Sequence, residues 1–209
     1  GLREGGIGDE QVTALDIKEF WENEDRISHN IDWVIDNHRK KTHDKLFSAM
    51  MCVGSVDMLI KYYDAFKAKK LAGEHNLRIA SIFTYSANEN DDDANGMLDD
   101  VQVDLGPPDS AKPHTREKLD ETIADYNAMY QTKFSTDSKQ FYGYYKDLSK
   151  RMKDREKEGF KDKDRLDILL VVNMFLTGFD AKKVNTLYVD KRLRYHGLIQ
   201  AYSRSNRII

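Results

Sequence analysis

The spacing of apolar residues predicts a strand, a helix and a second strand in the first half of the chain. Over residues 10–41, apolar side chains recur at intervals of three and four among charged ones, which is typical of one or two amphipathic helices. The nearly uncharged run at 45–53 predicts a strand buried on both faces, and helical spacing resumes over 56–70. A second apolar run at 77–85 follows, so we expect a βαβ unit with parallel strands.

The second half of the chain begins with a long acidic segment. Residues 86–109 contain eight acidic residues and no Lys or Arg, which predicts a solvated loop. Strands that alternate with helices indicate an α/β domain with a mostly parallel sheet, whose functional residues are expected at the carboxyl ends of the strands. The remaining predicted elements are two amphipathic, charge-rich helices at 115–130 and 140–158, strands at 166–172 and 186–189, and a helix from residue 198 onward.

Composition and charge narrow the classes of function. Hydrophobic residues make up 40% and charged residues 33% of the chain, and no apolar stretch approaches the ~20 residues that a membrane helix needs. The single cysteine, Cys52, excludes an intramolecular disulfide and a cysteine-rich zinc site, and no segment resembles a secretory signal. We therefore expect a cytoplasmic protein that works without a membrane. The net charge of −3 means that contact with nucleic acid requires a local basic surface, and Gly1 in place of Met suggests a piece of a longer chain.

Two short segments that follow predicted strands carry candidate polar chemistry. Gly54 and Ser55 stand at the start of a helix, where backbone N–H groups and a hydroxyl can hold a phosphate or where Ser55 simply caps the helix. Gly178 and Asp180 follow the third strand, where glycine admits a close backbone approach and a carboxylate suits a ribose hydroxyl. The spacing alone favours the cap for Ser55, and Thr-Gly-x-Asp also forms an ordinary turn.

The last segment of the chain is basic. Residues 191–209 contain five Lys or Arg residues and no acid. Gln200, Arg204 and Arg207 are spaced four and three apart, which places them on one face of a helix. Two guanidinium groups and an amide on one face suit a polyphosphate, because Arg presents a rigid fork of donors that stays charged. The alternative is a solvated basic helix end, which the spacing alone favours.

Three segments near the end of the chain resemble motifs V and VI of superfamily-2 ATP-dependent DNA motors. They read LVVNMFLTGFD at 170–180, NTLYVDK at 185–191 and LRYHGLIQAYSRSNRI at 193–208. Upstream, FSAMMCVGSVD at 47–57 resembles motif IV, and DYN at 125–127 with FSTD at 134–137 resembles a helical insertion. From about residue 41 to its end, the chain is similar to the second RecA-like domain of the R (HsdR) subunit of type I restriction enzymes.

The resemblance implies a RecA-like three-layer α/β domain and an ATP site in a cleft between two such domains. ATP and Mg²⁺ would be held mainly by the first domain. The second domain would supply Arg204 and Arg207 as arginine fingers that stabilise the charge of the transferred phosphoryl group, with Gln200 helping to position the site. Gly178 and Asp180 would approach the nucleotide and its ribose. The residues that would face the DNA backbone are Gly54, Ser55, Asn173 and Thr177.

The resemblance also implies an organisation and a set of partners. Residues 1–40 would form a tail and linking helices, and residues 41–209 the motor domain, with an acidic loop at about 86–114 and a helical insertion at about 115–160. The implied partners are double-stranded DNA and the methyltransferase and specificity subunits of a bacterial or archaeal restriction complex. The implied function is ATP-dependent translocation along DNA in support of cleavage by the endonuclease.

The chain departs from the family pattern at two positions. Ser203 stands where many helicases carry Gly, and the family favours Pro near Lys182; neither difference removes a charged group. The sequence contains no phosphate loop of the form Gly-x-x-x-x-Gly-Lys-Ser/Thr and no acidic Mg²⁺ box behind a strand, because the similar run at 120–123 falls on a predicted helix. We therefore expect half of a motor, which neither hydrolyses ATP nor cleaves DNA alone.

Two alternative functions stay open: the same domain in another superfamily-2 helicase or translocase, and a non-catalytic docking module for protein or nucleic acid. The acidic run at 91–102 begins like an EF-hand, but Gln102 replaces the ligating Glu, which favours a surface loop over a calcium site. The histidines lack the spacing of metal ligands. The aromatic residues Phe141, Tyr142, Tyr144 and Tyr145 can stack on bases, although their spacing favours packing of a helix on the sheet.

Overall fold

The computed structural model of the chain describes residues 19–83, 113–155, 157, 159–172 and 183–191. Every predicted element that falls within these residues is present, and no helix among them is long and apolar enough to cross a membrane. The predicted acidic loop and the helix from residue 198 lie outside the described residues. The helices are α1 (Glu24–Lys41), α2 (Val56–Leu71), α3 (Pro113–Tyr130) and α4 (Ser138–Lys153), and the strands are β1 (Ser48–Val53), β2 (Ile79–Ile82), β3 (Ile168–Val172) and β4 (Val184–Asp190).

The four described strands are all parallel and lie in the order β2-β3-β1-β4. In the middle of β1, Met51 pairs with Leu170 of β3 on one side and with Tyr188 of β4 on the other. Every residue of β1 and of β3 is buried, which explains the absence of charge from these strands and confirms the prediction of a strand covered on both faces. The predicted α/β fold class, with a RecA-like parallel sheet, is therefore confirmed.

The two strands of the predicted βαβ unit are parallel but are not neighbours. Strand β3 lies between them, and its Ile168 is in register with both Ala49 of β1 and Ile79 of β2. A strand from much later in the chain thus completes the centre of the sheet. Local patterning indicates a crossover between two strands, whereas the identity of the strand inserted between them depends on long-range pairing.

The chain reverses direction between α1 and β1. His43, Asp44 and Lys45 have φ angles of 48°, 54° and 64°, which lie in the left-handed region that non-glycine residues rarely adopt. Because of this reversal, β1 begins at Ser48, and the predicted start at residue 45 is too early. An apolar run gives no sign of a change in backbone direction within it.

Helix α1 has clear start and stop signals and a buried face. The side chain of Asn23 accepts a 2.9 Å hydrogen bond from the backbone N–H of Arg26 and so caps the helix. The first turn is acidic and the last turn is basic, which complements the helix dipole. Its apolar face, with Ile27, Ile31 and Val34 buried, contributes to the hydrophobic core that α2 also lines. The predicted amphipathic helix is confirmed over the described part of 10–41.

Helices α3 and α4 pack together through aromatic side chains. Phe141 and Tyr144 of α4 are fully buried, and the centre of the Tyr144 ring lies 4.9 Å from that of Tyr126 of α3 in an edge-to-face arrangement. The Tyr144 hydroxyl donates a 2.6 Å hydrogen bond to the backbone carbonyl of Ser81 in β2. The aromatic residues therefore attach α4 to the sheet, as predicted, and the buried rings of Phe141 and Tyr144 are not accessible to bases.

The helix predicted at 140–158 ends at Lys153, earlier than expected. Beyond it, the side chain of Arg155 is buried and donates a hydrogen bond to the hydroxyl of Ser48, the first residue of β1. The Arg155 guanidinium also lies 3.8 Å from the carboxylate of Asp167, and both side chains are 1% exposed. The early end of α4 thus allows a buried ion pair to form near the start of β1 and β3.

Candidate functional site

The carboxyl ends of the four described strands lie at one edge of the sheet, because the strands are parallel. We call this the carboxyl edge; the last strand residues there are Val53, Ile82, Val172 and Asp190. Open α/β sheets bind their ligands outside this edge. Gly54 and Ser55, two of the predicted site residues, directly follow Val53 and therefore lie at the carboxyl edge.

Ser55 caps helix α2 at the carboxyl edge. Its backbone is extended, with φ of −150° and ψ of 164°, and its Oγ accepts a 3.1 Å hydrogen bond from the backbone N–H of Met58. The predicted helix cap is thereby confirmed. A serine hydroxyl that accepts from the backbone keeps its own proton for another partner, and the positive end of the α2 dipole lies at the same place. These donors suit a phosphate oxygen.

Gly54 lies where the ends of β1 and β4 come close together. A Cβ atom on Gly54 would be 3.6 Å from the Cβ atom of Lys191 and 3.8 Å from the sulfur of Met58, and both are ordinary contact distances. The fold therefore has room for alanine at this position. A requirement for glycine would come from a ligand that approaches the backbone closely.

A buried ionic cluster lies beside these residues, at the end of β4. Asp190 is in register with Val53 of β1 and is 8% exposed. Arg26 of α1 donates to both carboxylate oxygens of Asp190, with a distance of 2.9 Å from Nη1 to Oδ2. The hydroxyl of Tyr62 on α2 donates to the same carboxylate at 2.6 Å. We call Arg26, Tyr62 and Asp190 the Asp190 cluster; it joins two helices to the carboxyl edge.

Both donors of the Asp190 cluster are held by further contacts. The Arg26 guanidinium lies 4.6 Å from the ring centre of Trp21 and 5.3 Å from that of Phe20, within the range of a cation–π interaction. Asn30 donates a 2.9 Å hydrogen bond to the Tyr62 oxygen. Burial, together with the hydrogen bond to Asp190, raises the pKa of Tyr62, so the phenol keeps its proton and remains a donor.

No local pattern in the sequence predicts the Asp190 cluster. Asp190 ends an otherwise uncharged strand, and an acid directly after the apolar Val189 was the one local sign of a polar site at this position. Its partner Arg26 is 164 positions away, and Tyr62 is indistinguishable by spacing from the apolar residues of the buried α2 face. Periodicity reports which face of an element is buried, but it does not identify a partner on a distant element.

The other predicted site residues lie outside the described residues. The described chain reaches the carboxyl edge twice in this half: at Val172, where β3 ends, and at Asp190 and Lys191, where β4 ends. In the sequence, Val172 lies within the segment 170–180 that resembles a motor motif, and Lys191 is the first residue of the basic segment at 191–209. The residues concerned are Asn173, Thr177, Gly178, Asp180, Gln200, Arg204 and Arg207.

The described residues at the carboxyl edge include donors that suit a phosphate. Asp190, the buried acid there, already accepts hydrogen bonds from Arg26 and Tyr62. Among the described residues, no group of three or more His, Cys, Asp or Glu side chains is arranged to hold a metal ion. The donors of Ser55 and of the start of α2 fit a nucleotide or nucleic-acid phosphate.

A cavity of about 580 Å³ lies between α2 and α3, near the amino-terminal end of β2. Its polar groups are already engaged: Lys67 donates to Asp125 at 2.6 Å, and Nδ1 of His75 accepts a backbone N–H, which leaves Nε2 to donate to the Phe66 carbonyl at 2.9 Å. Ile79, the first residue of β2, lines this cavity. The cavity therefore lies away from the carboxyl edge and from every described residue of the predicted site.

Comparison with known proteins assigns the chain to a family. The fold and its carboxyl edge define a class of protein: a parallel α/β domain in which a helix that can accept a phosphate begins at the carboxyl edge. Within that class, residues 45–209 match the family model described as type I restriction enzyme subunit R domain 3. The chain therefore belongs to the type I restriction enzyme R subunit family, as the resemblance implied.

Individual relatives agree with the family match. The chain is 44% identical over 197 residues to a type I restriction enzyme endonuclease subunit of Staphylococcus aureus strain COL, which covers 94% of this chain and 19% of the relative. It is 44% identical over 200 residues to such a subunit of Staphylococcus saprophyticus, covering 96% and 19%. A shorter match, 46% over 61 residues, links it to the HindI endonuclease subunit of Haemophilus influenzae and covers 29% and 6%. The chain spans about a fifth of the length of the two staphylococcal relatives.

Proposed function

We propose that this chain is the second RecA-like motor domain of a type I restriction endonuclease subunit, which couples ATP hydrolysis to translocation along double-stranded DNA. The observation that carries the proposal is the family match over residues 45–209, which includes the segments similar to motifs IV, V and VI. The parallel sheet supports it, because the residues after β1 and the chain ends of β3 and β4 share the carboxyl edge. A motor of this kind needs nucleotide and DNA groups close together at such an edge.

In this proposal, Arg204 and Arg207 act as arginine fingers across the cleft between two motor domains. The transferred phosphoryl group carries its charge on exposed oxygens, and a guanidinium fork binds two of them at once. Gln200 helps to position the site, and Gly178 and Asp180 lie against the nucleotide and its ribose. ATP supplies the phosphoryl group, and Mg²⁺ is held mainly by the first motor domain, consistent with the acid at the described edge being engaged by Arg26 and Tyr62.

The DNA contacts in this proposal are made to the backbone. Ser55 offers a hydroxyl proton at the start of α2, and Gly54 has no side chain to hinder a phosphate. Asn173 and Thr177 complete the set as the residues that follow β3 in the sequence. Contacts of this type hold the duplex without reading its sequence, which suits a motor that moves along any DNA.

The proposal assigns the remaining functions to other parts of the complex. The chain lacks a phosphate loop and an acidic Mg²⁺ box in its sequence, so we expect the isolated chain neither to hydrolyse ATP nor to cleave DNA. Site recognition and methylation belong to the specificity and methyltransferase subunits, with which the full-length protein assembles in the cytoplasm. Detectable turnover of ATP by the pure chain would contradict the half-motor assignment.

The test is DNA-stimulated ATP hydrolysis by the full-length subunit in its complex. Arg207→Ala is expected to lower kcat by roughly three orders of magnitude while ATP binding persists, because the finger acts on the transition state. Arg116→Ala is the matched control, since Arg116 is an exposed arginine of α3. Normal turnover with Arg207→Ala would favour a docking module, whose binding to a partner would be insensitive to ATP.

A further inference from the structure

The Asp190 cluster links helix α1 to the carboxyl edge, although α1 (Glu24–Lys41) lies ahead of the family match at 45–209. We propose that Arg26 is a positioning residue for the motor: by holding Asp190, it fixes the end of β4, from which the chain continues to Gln200, Arg204 and Arg207. This inference rests on the proposed function. It adds a residue of α1 to a site whose proposed members all come from the matched domain.

The geometry of the contact is suited to fixing a position. Arg26 donates through two nitrogens to the two oxygens of Asp190, and Tyr62 donates to one of the same oxygens from α2. A two-point contact between a planar guanidinium and a carboxylate defines an orientation as well as a distance, which a lysine ammonium does not. The aromatic rings of Trp21 and Phe20 lie against the guanidinium and restrict it further.

Attachment of α1 to the domain does not depend on this contact. The buried side chains of Ile27, Ile31 and Val34 already place α1 in the core, and Lys69 of α2 forms a 2.7 Å ion pair with Asp32 of α1. A largely buried ion pair contributes little net stability, since the loss of hydration offsets the attraction between the charges. The side chains of Arg26 and Asp190 are 17% and 11% exposed, so this offset applies to them.

The point that Arg26 fixes is close to two parts of the proposed site. Asp190 is in register with Val53, and the next residue, Lys191, lies beside Gly54, where a Cβ atom would be in ordinary contact with the Lys191 Cβ at 3.6 Å. A displacement of Asp190 therefore moves the end of β4 relative to the proposed DNA contact at Gly54. It also moves the start of the segment that leads to the proposed arginine fingers.

The experiment measures kcat and KM for DNA-stimulated ATP hydrolysis by the full-length subunit in its complex. The first variant is Arg26→Met with Asp190→Leu, which replaces the ion pair by apolar side chains. It is expected to lower the unfolding temperature only slightly, because the Tyr62 hydroxyl loses its acceptor but keeps the hydrogen bond from Asn30. The second is Arg26→Lys, which keeps the charge and loses the fork. The matched control is Lys69→Met with Asp32→Leu, which removes an ion pair that joins α1 to α2 and does not involve β4.

We expect both Arg26 variants to lower kcat by about ten- to a hundredfold, while KM for ATP stays within about twofold of the wild-type value. The control is expected to keep the wild-type kcat. Wild-type kcat in folded Arg26 variants, or an equal loss in the control, would overturn the positioning role; if the double variant fails to fold, Arg26→Lys alone decides.

Arg207→Ala in the same assay separates the two proposals. If Arg207→Ala abolishes turnover and the Arg26 variants do not alter it, the positioning role is wrong and the motor assignment stands. If Arg207→Ala turns over ATP at the wild-type rate, the motor assignment fails and the positioning role fails with it.

Discussion

The imidazole of His38 on α1 lies against the hydroxyl of Tyr188 on β4, with 3.4 Å between Nδ1 and the phenolic oxygen. Both residues are buried, and within the described residues Nε2 of His38 has no hydrogen-bond partner. Burial lowers the pKa of His38 to about 4. The carboxylate of Asp167 acts in the opposite direction and raises the pKa, whereas the positive charges of Lys45 and Arg155 lower it further by smaller amounts. His38 is therefore neutral in the folded chain at neutral pH.

This neutral histidine predicts a loss of stability in mild acid. The folded pKa of about 4 lies below the ordinary value of 6.5, so the unfolded chain binds more protons between these two pH values. The contribution of neutral His38 to the free energy of unfolding is on the order of 3 kcal/mol. It is fully present above pH 6.5 and is lost as the pH falls toward 4. Urea unfolding of the chain across this range measures it.

His38→Leu removes the titrating group and is expected to flatten the dependence of the unfolding free energy on pH. Some slope should remain, because burial also lowers the pKa of His75. His29→Gln, an exposed position on the same helix, is the control and is expected to keep the wild-type slope. A His38→Leu chain with an unchanged slope would show that His38 does not titrate differently on unfolding.

The buried pair of Arg155 and Asp167 predicts a large, non-additive effect of mutation. Removal of the cation in Arg155→Met leaves a buried carboxylate with fewer partners, which costs about 3–5 kcal/mol of unfolding free energy. Adding Asp167→Asn should recover part of this loss, because the buried negative charge, which within the described residues keeps only Lys45 at 3.4 Å as an ion-pair partner, is then absent. Denaturant unfolding of both single variants and of the double variant measures the coupling; simple additivity of the two losses would contradict a direct interaction.

The hydrogen bond from Tyr144 to the Ser81 carbonyl predicts a moderate effect on stability. Tyr144→Phe keeps the ring in the aromatic cluster but leaves a buried carbonyl without this donor, so we expect a loss of about 1–3 kcal/mol. Tyr142→Phe, on the half-buried part of the same helix, provides the comparison and should cost less. Thermal or denaturant unfolding decides, and equal losses in the two variants would argue against a special role for the contact between α4 and β2.

Gly54→Ala separates the needs of the fold from those of a ligand. The contacts that a Cβ atom would make at this position are ordinary, and the unfolding free energy should change by no more than about 0.5 kcal/mol. If a DNA phosphate approaches this backbone, DNA stimulation of ATP hydrolysis should fall in the full-length complex, while its basal hydrolysis stays unchanged. Normal DNA stimulation in the variant would remove Gly54 from the proposed DNA contacts.

Local patterns in the sequence were sufficient to predict the described elements and the fold class. The uncharged run around Met51 indicated a strand covered on both faces, and the spacing of Phe141 and Tyr144 indicated a helix packed through aromatic residues; the structure confirms both. Buried strands and amphipathic helices reveal themselves locally because their burial imposes a period on neighbouring residues.

Features that depend on distant partners could not be predicted in this way. Asp190 and Arg26 are 164 positions apart, and Ser48 and Arg155 are 107 positions apart, so no local period connects them. The position of β3 between β1 and β2 also depends on distant partners, because Ile168 pairs with two strands from the first half of the chain. The roles of Arg204 and Arg207 came from resemblance to a family, and they stay predictions.

The most direct test of the central claim is DNA translocation by the assembled enzyme. The measurement is ATP-dependent displacement of a third strand from a duplex site that is distant from the recognition site, with the full-length subunit carrying Arg207→Ala. The account predicts no displacement with this variant and a wild-type rate with Arg116→Ala, because only the former lacks the proposed finger. Displacement at the wild-type rate with Arg207→Ala would contradict the assignment of this chain as the finger-bearing half of the motor.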